Sequence, residues 1–146
     1  MKHIRAQIRE HVQLLLQGRA PFNVVSRSRT ASIAHDELPA ARILLTDEEA
    51  EPLAQGTTPL YQRNSELAVE LLAREVAGEA FDDVLDEMAL VAEQAMTEDT
   101  TLGGLVKRMR YTGIFSDYSD EQPEGQVVMT WQITYHTRMN EPETAR

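Results

Sequence analysis

Cysteine is absent from all 146 residues. That excludes a disulfide framework, thiolate zinc sites and a cysteine nucleophile, and it fits a reducing compartment. Also missing is any apolar run near the roughly 20 residues that a membrane helix needs. The start, "MKHIRAQIREHVQLLLQG", has only a short apolar run broken by charges. It lacks the continuous apolar core and small-residue cleavage site of a signal peptide. A soluble protein made in the cytoplasm is therefore expected. Cations are in deficit, 14 Lys and Arg against 24 Asp and Glu, for a formal charge of −10. On average such a chain repels nucleic acid, because phosphate affinity comes from basic side chains that displace counterions. No internal repeat and no low-complexity tract occurs.

Catalytic signatures are missing too. There is no P-loop and no nucleophile elbow, and no spacing of Ser, His and Asp selects a triad. His3, His11, His35 and His136 are scattered without metal-ligand spacing. Asp82, Asp83, Asp86 and Glu87 crowd the start of a helical segment. They read better as acids that complement a helix dipole than as an acid–base pair. Asp117, Asp120, Glu121 and Glu124 miss the spacing and central glycine of a calcium loop. Neither a catalytic residue, a metal site nor a cofactor is expected.

What is present is a clear pattern of elements. Ile4, Ile8, Val12, Leu15 and Leu16 recur at helical spacing, and Gly18 stands where a helix stops, which predicts a helix over about Lys2–Gln17. A second apolar stripe, Phe81, Val84, Leu85, Met88, Val91, Ala92 and Ala95, predicts a helix over about Phe81–Met96. Short strands are expected from near Asn23 and over about Ala41–Thr46, and the acidic stretch "DEEAEPLAQGTTP" reads as a loop or short arm. "VKRMRYTGIFS" predicts a strand with Met109, Tyr111 and Phe115 on one face and Arg108, Arg110 and Thr112 on the other. In "QVVMTWQITYHT", Val127, Met129, Trp131, Ile133 and Tyr135 point one way, while Gln132 and Thr134 point to solvent or a neighbour.

The stretch "YQRNSELAVELLARE" holds two signals. Leu, Ala, Glu and Arg favour helix. Yet Tyr61, Leu67, Val69 and Leu71 take odd positions, and Gln62, Asn64, Glu66 and Glu70 take even ones. That alternation predicts a half-buried strand. The expected fold class is α+β, in the order α-β-β-β-α-β-β. A mostly antiparallel sheet of four to five strands carries two main helices on one face. Residues 1–138 form a single domain and 139–146 a flexible tail.

Four segments together resemble a known family. They are "LPAARILLTDEEAE", "TTPLYQRNSELAVEL", "LDEMALVAEQAM…TLGGLVKRMRYTGI" and the closing "VVMTWQITYHTR", in that order. They are similar to the tail terminator proteins of long-tailed phages, in particular the minor tail protein U family of lambda-like phages and prophages. The resemblance covers about Met1–Arg138. It implies helices packed on one sheet and a sixfold ring seated on the tail tube. It also implies a virion protein with no enzymatic activity and no cofactor. Its partners would be copies of itself, the tail tube protein and a head-completion or connector protein. Specific nucleic-acid binding and membrane contact are not expected. Opposite charge marks Arg108 and Arg110 against Glu48 and Glu49 as the candidate contacts between copies. The alternatives are another head–tail connector or tube component, a host-derived ligand-binding module, or a small hydrolase or nuclease using the Asp82–Glu87 carboxylates with a metal.

Overall fold

A computed structural model describes residues 1–30, 32–53, 56, 58–117 and 124–146. In chain order the elements are α1 (Ile4–Leu16), β1 (Val24–Ser26), a single 3-10 turn (His35–Glu37), β2 (Ala40–Pro52), β3 (Leu60–Arg74), α2 (Phe81–Thr97), β4 (Arg108–Asp117) and β5 (Glu124–Arg138). The strands form one five-stranded sheet in the order β1-β2-β3-β5-β4. Among the described residues only β1 and β2 run parallel, and the other pairs are antiparallel. The α+β class and the element order agree with the sequence pattern.

Each helix forms because its apolar residues return on one side. Ile4, Ile8, Val12 and Leu16 of α1 are fully buried, one per turn, and Gly18 takes the positive φ of 80° that ends the helix. On α2 the buried stripe is Val84, Leu85, Met88, Ala92, Ala95 and Met96, with Asp82 and Asp83 in its first turn. Both helices lie on the same sheet face, α1 over β1 and β2, α2 over β3 and β5. One hydrophobic cluster joins them to β2, β3 and β5.

The contested stretch is a strand. β3 is paired along its length, with β2 on one side and β5 on the other. Its odd members Leu67, Val69, Leu71 and Ala73 are fully buried, and Ser65 is nearly so. Two full ladders and an apolar face outweigh helix propensities of only about 0.7 kcal/mol per residue.

Three expectations need correction. The acidic segment after Thr46 is not a loop. β2 continues to Pro52, so Asp47, Glu48, Glu49 and Glu51 are strand residues, while 54, 55 and 57 of the same stretch lie outside the described residues. Phe115 does not share a face with Met109 and Tyr111. The β4–β5 register shifts between Tyr111 and Gly113, which sets Ile114 opposite core-facing Met129 and Phe115 opposite Val128. Phe115 is 59 % exposed as a result. Thr134 lies on the helix-free face as expected, yet it is 5 % exposed, closed over by neighbours and donating to Asn64 Oδ1 at 2.8 Å. Residues 139–146 run beside the start of α1. Ile4 N–H donates to Pro142 O at 3.0 Å, Gln7 Nε2 to Glu143 O at 2.7 Å, and Arg146 N–H to His136 O at 2.9 Å.

After α2 the chain turns through Leu102, Gly103 and Gly104, all at positive φ. Asp99 holds the turn, accepting from Gly103 N–H at 2.9 Å and meeting His11 Nε2 at 2.7 Å. A Cβ on Gly103 would come within 2.8 Å of the His11 ring while φ sits at +68°. Gly103→Ala is therefore expected to cost about 1–2 kcal/mol, from backbone strain and displacement of His11 together. Chemical denaturation would read it; an unchanged midpoint would mean that the turn relaxes freely.

Candidate assembly surface

A one-residue irregularity in β2 decides which side chains face where. Against β3 the register shifts between Leu45 and Glu48, so Leu45 pairs with Leu67 but Glu48 pairs with Ser65. A bulge of this kind inserts one residue and inverts the alternation beyond it. Glu48 therefore turns toward the helix side, and Glu49 and Glu51 turn to the helix-free face, opposite Asn64 and Gln62.

Arg5 of α1 reaches into the bulge. Its Nη2 donates to Leu45 O at 3.1 Å and Thr46 O at 2.8 Å, the carbonyls the irregular pairing leaves open. Its Nη1 donates to Glu48 Oε1 and to Ser65 Oγ, both at 3.2 Å. Ser65 Oγ and the Tyr135 hydroxyl also donate to Glu48 Oε1, the former at 3.1 Å. Arg63 donates to Glu48 Oε2 at 3.1 Å and to Thr137 Oγ1 at 2.9 Å. Burial pushes the Glu48 carboxyl up, but the hydrogen bonds from Tyr135, Arg5 and Ser65 and the charge of Arg63 outweigh it and hold it below the ordinary value. Burial and the same carboxylate push the Tyr135 hydroxyl up to about 12. The cluster ties α1, β2, β3 and β5 together where the long β2–β3 hairpin leaves the helices.

The four candidate contact residues thus fall into two groups. Glu48 is committed to the cluster. Glu49, Arg108 and Arg110 are exposed, and all three lie on the helix-free face. They do not meet within one chain. β2 and β4 are separated by β3 and β5, three strand spacings or about 14 Å. The face is charged at both sides, with exposed Glu49 and Glu51 on β2 at one and exposed Arg108 and Arg110 on β4 at the other. β4 also exposes Tyr111, Ile114 and Phe115.

A basic cleft missed by the sequence reading lies beside α1, where Arg9, Arg27 and Arg29 surround Ile43, Leu44 and Leu45. Burial, then repulsion from Arg5, Arg27 and Arg29, lowers the Arg9 guanidinium from its ordinary value. No local motif announces it, because one arginine comes from a helix and two from the segment after β1.

Asp82, Asp83, Asp86 and Glu87 are exposed, and Asp83 and Glu87 border only a shallow cleft with Gly78, Glu79, Ala80 and Val84. Among the described residues no three His, Cys, Asp or Glu converge as metal ligands. No described helix is long and apolar enough to cross a membrane.

The family model of phage minor tail protein U matches residues 2–135 of this chain. The chain belongs to that family. A minor tail protein U is a structural component of the virion, and its place is the phage tail. Among curated proteins none matches. Among solved structures the chain is similar to one from the virion of a native gene transfer agent particle, at 10 % identity. That match covers 88 % of this chain and 94 % of the other, with a TM-score of 0.40.

Proposed function

We propose that this tail protein is a terminator: copies close into a ring, a hexamer, on the end of the tail tube, stop its polymerisation and present the surface that joins the head. The observation that carries this reading is the asymmetry of the sheet. One side of the helix-free face is acidic at Glu49 and Glu51, and the opposite side is basic at Arg108 and Arg110. A closed ring needs a heterologous contact between two unlike surfaces of the same chain, and opposite charges on opposite edges supply them. The family membership supports a tail location and a structural role. The partners in this reading are neighbouring copies, the tube protein and the head-completion protein.

Phage unable to make the protein are expected to assemble tubes of uncontrolled length that do not join heads. Electron microscopy of lysates measures both length and joining. Tails of normal length in the deletion would sink the terminator reading; normal length with failed joining would favour a connector role.

A further inference from the structure

Two edges of the sheet end without a strand partner among the described residues. β4 is open along Arg108–Asp117, and β2 is open beyond Arg42, where its pairing with the three-residue β1 stops. A ten-residue edge with Tyr111, Ile114 and Phe115 exposed offers its free backbone groups to another strand, and its exposed arginines and bulge restrict which strand can pair there. Direction matches as well. β2, β3, β5 and β4 alternate, so β4 runs opposite to β2. Copies turned about an axis roughly along the strands set β4 of one antiparallel to β2 of the next.

We infer that β4 of each copy adds to the open β2 edge of its neighbour, with Arg110 opposite Glu49, so that the sheet continues from copy to copy. The inference rests on the ring reading and names its interface. Residues directly opposite in an antiparallel pair share a face. Arg110 and Glu49 are both on the helix-free face, and this pairing places Arg108 opposite Glu51 on that same face. One step further, Tyr111 meets Glu48, both directed to the helix side.

The bulges then decide the register. β4 breaks step between Tyr111 and Gly113, and β2 between Leu45 and Glu48. With Arg110 against Glu49 these irregularities lie opposite each other, so both strands change parity together. Beyond them Ile114 meets Leu45 on the helix side, and Phe115 covers half-buried Leu44 on the other face. A one-residue slip turns the arginines against helix-side positions, and a two-residue slip puts the bulges out of step. At the inner end the incoming strand enters the cleft lined by Arg9, Arg27 and Arg29 and replaces the long 3.3 Å contact from Arg29 to Leu45 O, while Arg5 keeps its own bonds to Leu45 O and Thr46 O.

The cysteine-free sequence makes the test clean. Opposed residues in an antiparallel pair have Cα atoms about 4.5–5.5 Å apart, within disulfide range. Tails purified from cells making the Arg110→Cys/Glu49→Cys double variant are oxidised and run on a non-reducing gel. The expected result is a ladder of covalent multimers ending at the ring. The slipped pair Arg110→Cys/Glu51→Cys should give about a tenth of that yield or less, because its separation leaves the bonding range. A stronger ladder from the slipped pair overturns the register. Rings visible on the tails with no ladder from either pair overturn the β4–β2 contact and leave the terminator reading standing. Wild-type tails without a ring overturn that reading and the interface with it. As a second measurement, Arg110→Glu should lower the ring-bearing fraction severalfold, high salt should mimic it, and Glu49→Arg should restore it. Loss without restoration in the charge swap counts against the pairing.

Discussion

Trp131→Ala is expected to lower the unfolding free energy by about 3–5 kcal/mol. Trp131 sits at the middle of β5, opposite Leu67 of β3 and Tyr111 of β4, with 3 % of its surface exposed. Its ring meets that of Tyr111 edge to face, with centroids 5.5 Å apart and planes at 63°. Truncation removes the largest side chain of the strand and leaves a cavity between sheet and helices that central, doubly paired strands cannot collapse to fill. The edge-to-face contact adds about 0.5–1.5 kcal/mol beyond area burial, and it is lost as well. For a chain of this size the melting temperature should fall by roughly 10 °C. Trp131→Phe keeps an aromatic body and should lose much less. A loss below about 1 kcal/mol for the alanine variant would contradict a core position for Trp131.

Glu48→Ala should cost about 2–3 kcal/mol and should change the acid limb of stability. The deletion strands two guanidinium groups, Arg5 and Arg63, together with the Tyr135 and Ser65 hydroxyls. Breaking a fully buried pair costs about 3–5 kcal/mol, because the partner charge stays desolvated. The expected value is lower here since the side chains of Glu48, Arg5 and Arg63 retain 17 %, 25 % and 14 % exposure, so water recovers part of the loss. The pH dependence follows from the lowered Glu48 carboxyl. A carboxyl that titrates lower when folded binds fewer protons in the folded state. Its stabilisation is complete above the ordinary value of 4.5 and is lost as pH falls through the lower folded value. Tyr135 works at the other end. Raised from 10 to about 12, its hydroxyl contributes stability below pH 10 that is lost as pH rises through about 12. Glu48→Gln keeps the shape and abolishes the acid component, so its stability should vary less than wild type below pH 4.5. Urea midpoints across pH would show the difference, and parallel curves for the two proteins would refute the cluster's role.

Much of the architecture was legible in the residues because it rests on local periodicity. Ile4, Ile8, Val12 and Leu16 return every turn, and any sheet they met would be covered by that stripe. The odd positions of Tyr61–Leu71 declared a strand against helix-forming composition, since alternation reports which side is buried while propensity is a small bias. The charges of Arg108, Arg110 and Glu49 were equally visible in the sequence.

What the tertiary structure alone decided was where the alternation breaks. A bulge is one added residue, and it exists only relative to the strand beside it. Between Leu45 and Glu48 it turned Glu48 from an apparent loop acid into the centre of a cluster spanning four elements. Past Tyr111 a second bulge moved Phe115 to the opposite face from the one its parity promised. The placement of residues 139–146 beside α1 has the same origin, for the Ile4 N–H at the helix start is satisfied by Pro142 O, 138 residues away in the chain and 3.0 Å away in space. Period and composition are properties of a segment, and they settled the elements. Register and long-range hydrogen bonds are properties of pairs of segments, and they settled which side chains those elements present.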